Sequence, residues 1–253
     1  MTISLIPVTG LPMVEPGQDL AQLLGDAIAA LEHTPGDGDV LVVCQKVVSK
    51  AEGRIVKLAD VEPRAEAVSF AEEYEKDAAV VELAMAEARE ILRRENGHLI
   101  TSTGPGFICA NSGLDRSNQN RDGEVTLLPL DSDASAATLR ARICERFGAR
   151  IAVIISDTFG RPWRLGQLDV AIGSAGITVL DDHGGRDDFA GRPLEHTQIA
   201  LADQLAAAAG LLAGKADGVP AVLVTGLGLH EPAGDDYASA AALVRPPEDD
   251  LFR

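Results

Sequence analysis

Apolar and polar positions along the chain fall into blocks whose period changes, and the changes mark out elements. Residues 3–8 (ISLIPV) form a short apolar run closed by Gly10 and Pro12, which predicts a first strand. Residues 17–32 (GQDLAQLLGDAIAALE) repeat apolar side chains at helical spacing, with Asp19 near the start. Residues 39–58 begin as a buried strand, are interrupted by Gln45-Lys46 and Ser49-Lys50, and resume as a second short strand. Residues 64–94 are rich in Ala, Glu and Arg and predict one or two exposed helices. Residues 98–118 read as a strand pair followed by a polar loop.

Farther along, residues 131–148 (DSDASAATLRARICERFG) predict a helix capped by Asp133 or Ser135 and ended by Gly148. Five apolar residues, 151–155, then run straight into Ser156-Asp157-Thr158, as a strand ending on polar groups. Residues 167–182 predict one further strand or two, broken at glycines. Residues 197–214 predict an Ala-rich helix packed on a sheet, and 219–226 (VPAVLVTG) a late strand. The tail RPPEDDLFR is polar and carries prolines. Strands and helices mix without strict βαβ alternation, so the expected class is α+β, with mixed sheets flanked by helices. The length suits a single unit over 1–253, undivided or in two lobes.

Composition narrows the function. The formal charge of −17 repels nucleic acid and anionic membranes. An anionic small ligand can still bind where local cations, backbone N–H groups or metal ions reverse the field. Cys44, Cys109 and Cys144 form no CxxC, and their apolar surroundings predict buried free thiols in a reducing, cytoplasmic compartment. The N-terminal residues have neither the basic region nor the apolar run of a signal peptide, and no membrane span is expected.

Four stretches could carry chemistry. In SDTFGRPWR, Asp157 and Thr158 have the oxygen atoms a hard cation such as Mg²⁺ or Mn²⁺ needs, and Arg161 and Arg164 can pin anionic oxygens. The same stretch also reads as a closed strand end with a surface ion pair. The loop around Asp115, with Asn111, Ser117 and Asn118, offers a second carboxylate or ordinary turn chemistry. Lys46 and Lys50 can receive polyphosphate or simply be solvated. Residues 212–220 form a glycine-bearing turn after a helix, but no GxxxxGK[ST] occurs. His33, His98, His183, His196 and His230 lack zinc-ligand spacing, and no GxSxG elbow is present. His183, Glu195 and His196 near polar loops carry no assignable role. Carboxylates, hydroxyls and cations remain, an inventory that suits metal-assisted phosphoryl or acyl-phosphate chemistry.

In order, LIPVTGLP, QKVVSKAEGRIV, GFICANSGLDRSN, LLPLDSDASA, VIISDTFGRPWRLGQLDVAIGSAGI and LADQLAAAAGLLAGKADGVPAVLV resemble the coenzyme F420-0:L-glutamate ligase family across nearly the whole chain. The resemblance implies a family-specific α+β ligase fold without a P-loop, acting as a homodimer. It implies GTP- and divalent-metal-dependent ligation of L-glutamate to the deazaflavin F420-0 through an acyl phosphate, releasing GDP and phosphate. Further γ-linked glutamates would follow. The cofactors implied are Mg²⁺ or Mn²⁺, at one site or two, with K⁺ as a further ion. No C-terminal nitroreductase-like domain is expected after this unit.

Carried over by motif, Asp115 and Asp157 would ligate one metal and Thr158 a second. From their residue type rather than the resemblance, Arg161 and Arg164 are expected to join Asp115 and Asp157 as the catalytic set. Leu11, Pro12, Met13 and Val14, then Gln45, Lys46, Lys50 and Asn118, and finally Gly214, Lys215 and Gly218 would contact the nucleotide. Some family members carry a glutamine metal ligand where this chain has Lys215. A protonated lysine cannot ligate, so the second metal loses a ligand or Lys215 supplies part of its charge. Two readings from other classes compete: a metal-dependent phosphohydrolase using the same aspartates, and a non-catalytic GTP-binding regulator.

Overall fold

In chain order the elements are β1 (Ser4–Val8), α1 (Leu20–Ala29), β2 (Val40–Cys44), α2 (Gln45–Ala51), β3 (Ile55–Lys57), α3 (Ala65–Glu73) and α4 (Ala78–Glu87). Then come β4 (Glu90–Glu95), β5 (His98–Ser102), β6 (Ile108–Ala110), β7 (Glu124–Thr126), α5 (Ser132–Phe147), β8 (Ala152–Arg161) and β9 (Arg164–Ala175). Last are β10 (Leu180–Asp182), β11 (Gln198–Ala200), α6 (Leu201–Ala213) and β12 (Ala221–Thr225), followed by short 3₁₀ turns. The computed structural model describes residues 2–214, 216–229 and 238–250. Lys215 and His230 lie outside the described residues.

The main sheet has five strands in the order β1-β12-β2-β8-β9. β2 and β8 are parallel, and every other pair in it is antiparallel. The fold is therefore the mixed α+β class that the sequence predicts. Strand alternation sends Leu41, Val43, Val153 and Ile155 to one face and Val40, Val42, Ala152 and Ile154 to the other. The first face is covered by α1 and α5 through Leu24, Ile28, Leu139 and Ile143. The second is covered by α6 through Ala202, Leu205 and Ala209. Burial on both faces explains why these strands read as continuous apolar runs rather than alternating ones.

Four expectations are corrected. Gln45-Lys46 and Ser49-Lys50 do not interrupt a strand; they belong to helix α2, which starts directly after β2. The segment 64–94 is not simply exposed helix. Ala67, Phe70, Ala71, Val81, Ala84 and Met85 of α3 and α4 bury with Leu99 in a small core, and residues 90–95 are the strand β4. Helix α5 is capped by Asp131, whose Oδ1 accepts the Ala134 N–H at 2.9 Å, not by Asp133 or Ser135. Asp133 instead accepts from Ser174 N, Ser239 Oγ and Ala240 N, tying α5 to β9 and the C-terminal turn. Finally, the Ile151 strand does not stop at Ser156: β8 continues to Arg161 and turns into β9.

All three cysteines are free thiols; Cys109 is buried, and Cys44 and Cys144 are half-buried. Among the described residues no helix is long and apolar enough to cross a membrane.

Candidate active site

Helix α2 sets two lysines four residues apart, so Lys46 and Lys50 share one helix face. That face looks onto the loop between β6 and β7. The Lys46 ammonium lies 2.8 Å from Asp115 Oδ2 and donates to Ser117 O and Oγ at 2.6 and 2.5 Å. The Lys50 ammonium donates to Asn118 O and Asn120 Oδ1, both at 2.6 Å. Neither lysine is a solvated surface group, since they are 9% and 3% exposed. A buried cation must find acceptors, and this loop supplies them. Burial, then repulsion from Lys46, pulls the Lys50 pKa below its ordinary value, although Glu124, Glu15 and Asp115 oppose the shift.

The loop is itself braced. Asp115 Oδ1 accepts from Ser117 N at 2.7 Å and Ser117 Oγ at 2.8 Å. Asp115 also pairs with Thr126 of β7 through backbone bonds in both directions. Gln119 bridges Asp115 O and Thr126 Oγ1, and Asn120 Nδ2 reaches Val14 O at 2.8 Å. Burial works to raise the Asp115 carboxyl. The bonds from Lys46 and Ser117 outweigh it and hold the group below its usual range.

These groups line a cavity of about 470 Å³. Leu11, Pro12, Met13 and Val14 form one side, and Gly214 and Gly218 of the loop after α6 form another. Asn118, Asp157 and Thr158 also line it. Successive strand residues ordinarily point to opposite faces, yet Asp157 and Thr158 both reach this cavity. The ladder beside them is irregular: Ile155 pairs with Gly173 and Ser156 with Ala171, so Ile172 of β9 is an extra residue, and such a bulge increases the local twist.

Not every expected residue arrives. Gln45 is almost fully buried and bonds to Ser49 Oγ and Leu127 O, which ties α2 to the chain after β7 rather than lining the cavity. Arg161 and Arg164 pair across the tip of the β8–β9 hairpin and do not line it either. β8 carries Arg161 on past Asp157 by roughly 13 Å, at about 3.3 Å per residue. His183, Glu195 and His196 lie near the β10–β11 ribbon, away from the cavity lining.

One residue that sequence reasoning missed does arrive. Asp169 of β9 lines the cavity, and its Oδ1 accepts from Thr158 Oγ1 at 2.6 Å. Gly210 of α6 leaves the space it needs, because a Cβ there would lie 2.6 Å from Asp169 Oδ2. The available signal was an aspartate inside the otherwise apolar QLDVAIG stretch, facing an alanine-rich helix with one glycine.

A family model for F420-0:gamma-glutamyl ligase matches residues 10–226. The chain belongs to the F420-0:gamma-glutamyl ligase family. Among relatives of this ligase family, the coenzyme F420:L-glutamate ligase of Methanothermobacter thermautotrophicus is 44% identical over 254 residues, spanning 100% of both chains. That of Methanopyrus kandleri is 44% identical over 253 residues, covering 100% of this chain and 98% of its own. That of Archaeoglobus fulgidus is 41% identical over 254 residues, covering 100% of this chain and 97% of its own.

For a member of the F420-0:gamma-glutamyl ligase family, the donor set can be compared with a divalent cation. Asp115, Asp157, Asp169 and Thr158 offer only oxygen, which suits Mg²⁺ or Mn²⁺. Among the described residues no three His, Cys, Asp or Glu gather closely enough to hold an ion alone. Mg²⁺ sites commonly use one or two carboxylates and take the remaining oxygens from phosphates and water. The residues therefore fit an ion that binds together with a nucleotide.

Proposed function

We propose that this protein joins L-glutamate to F420-0, using GTP and a divalent metal ion. The terminal carboxylate of the phospholactyl arm takes the γ-phosphoryl group as its bond to GDP breaks. The glutamate amine then forms the amide as phosphate leaves, and further γ-linked additions repeat the cycle. The observation that carries this reading is the convergence of Lys46, Lys50, Asp115, Asp157, Thr158 and Asp169 on one cavity. The names of the relatives support the substrates.

Lys46 and Lys50 would turn from the 115–120 loop to phosphate oxygens, countering the repulsion of an acidic protein. The segment 11–14 and the loop 214–218 would frame the nucleotide. Asp115 and Asp157 would hold one metal ion, and Thr158 with Asp169 a second; such ions draw charge from phosphoryl oxygens. Because Ser117 holds Asp115 and the β8–β9 ladder holds Asp157, these carboxylates would need little reorganisation. On the same reading the protein acts as a cytoplasmic homodimer. A monomer in light scattering at micromolar concentration would count against that part.

The deciding experiment incubates F420-0 with GTP, Mg²⁺ or Mn²⁺ and L-glutamate, and follows the deazaflavin by mass spectrometry. One or more glutamyl additions, with GDP release that depends on glutamate, is the expected result. Phosphate release at the same rate without glutamate, and no adduct, would make the protein a hydrolase instead.

A further inference from the structure

A second cavity, of about 390 Å³, lies beside the same β8–β9 hairpin. The two cavities share no lining residue but divide the hairpin between them. Asp157 and Asp169 line the first, while Phe159, two residues on, and Val170, the next residue, line the second. Val170 is also the register partner of Asp157 across the ladder. Neighbouring residues of one hairpin therefore line both cavities.

Its walls are largely apolar and aromatic. The rings of Phe107 and Phe159 stand 6.5 Å apart at 64°, an edge arrangement that leaves ring surface for a flat heterocycle. Ile108 lines it while 40% exposed, so part of this apolar wall is open to solvent. Two cations, Arg93 and Arg245, also line it, and neither has a carboxylate partner among the described residues. Asp203 contributes a polar group: Oδ1 accepts the Ala171 N–H at 2.9 Å, and Oδ2 makes no hydrogen bond among the described residues. Asp250 stands at the same wall and has a partner of its own. Two arginines without acidic partners are conspicuous in a chain of net charge −17. Aromatic faces, an acceptor for a ring N–H and cations for a phosphate match a planar heterocycle with an anionic arm.

We infer that this second cavity seats the deazaflavin ring of F420-0, with Arg93 and Arg245 on its phosphate and the arm's carboxylate led past Phe159 toward Asp157. The inference rests on the ligase reading above and adds to it the seat of one substrate.

The test measures equilibrium binding through deazaflavin fluorescence, with two probes: F420-0, and the same chromophore without its phospholactyl arm. Ile108→Trp fills the cavity from a solvent-exposed position. It should weaken both probes about tenfold or more while leaving GDP affinity unchanged, since roughly 1.4 kcal/mol corresponds to tenfold. The double substitution Arg93→Ala and Arg245→Ala should weaken F420-0 about tenfold, as lost charge-assisted bonds imply, and the armless chromophore by less than about twofold. Thermal melts report whether each variant folds, and the exposed arginine pair decides the matter if Ile108→Trp does not fold. Wild-type ligation with unchanged F420-0 affinity in folded variants would overturn the seat and leave the ligase reading standing. Wild-type protein that binds neither probe and forms no adduct would overturn both.

Discussion

The ammonium of Lys46 lies 2.8 Å from Asp115 Oδ2, joining a helix that follows β2 to a loop that precedes β7. Their side chains are only 11% and 28% exposed. Burial would raise the Asp115 pKa, but Lys46 and Ser117 hold it below 3.8. The native state therefore sheds this proton at lower pH than the unfolded chain does. The resulting stability is present above the unfolded value and is lost as pH falls through the folded one. Lys46→Met should cost about 2 kcal/mol at neutral pH, because it leaves a partly buried carboxylate unpaired. Urea unfolding should show that deficit shrinking as pH is lowered through and below 3.8. A pH-independent deficit would assign the loss to packing instead.

Asp115→Asn and Asp157→Asn each keep size and one acceptor oxygen but lose charge. If both carboxylates serve one metal, either change should cut metal-dependent turnover by about 10²-fold or more. The double variant should cost little beyond the worse single, because groups that act as a unit are not additive. Wild-type turnover in both singles would remove the metal site.

Gly210→Ala tests Asp169 without replacing it. The new methyl would stand 2.6 Å from Asp169 Oδ2. The neighbour is the end of a flexible side chain, so it should swing aside. Alanine in a helix should return up to about 1 kcal/mol of stability. The expected outcome is an unchanged or raised melting temperature with turnover lowered about tenfold or more, since a displaced ligand costs metal charge stabilisation. Undiminished turnover would take Asp169 out of the chemistry.

Burial raises the Asp203 pKa above 3.8, and the hydrogen bond from Ala171 only partly opposes it. Here the native state holds its proton longer than the unfolded chain. Stability accordingly falls as pH rises from 3.8 through the folded value, and the penalty is full above it. Asp203→Asn keeps an acceptor for the Ala171 N–H. It should raise the melting temperature at neutral pH, with the gain fading toward pH 3.8. Calorimetry at several pH values would show a constant gain if burial of charge were not the cause.

Much of this architecture is legible in the chain alone. The apolar runs of β2, β8 and β12 and the period of α1 and α5 are local patterns, and burial on both faces of a sheet imposes them directly. Asp115, Asp157 and Thr158 could be singled out because hard-oxygen groups sit beside apolar strands, and the order of the motifs pointed to a family. Other facts depend on distant parts meeting. That Lys46 and Lys50 are buried follows only once α2 faces the 115–120 loop, since nothing local hides them. The length of β8 depends on its partner: residues 156–161 become strand because β9 supplies the ladder. Asp169 enters the cavity because α6 presents Gly210 rather than a larger residue against it. Arg161 and Arg164 stay out because the ladder carries them to the hairpin tip. Side-chain type and local period are properties of the sequence, whereas which of those side chains share a dielectric, a partner or a cavity is decided by long-range packing.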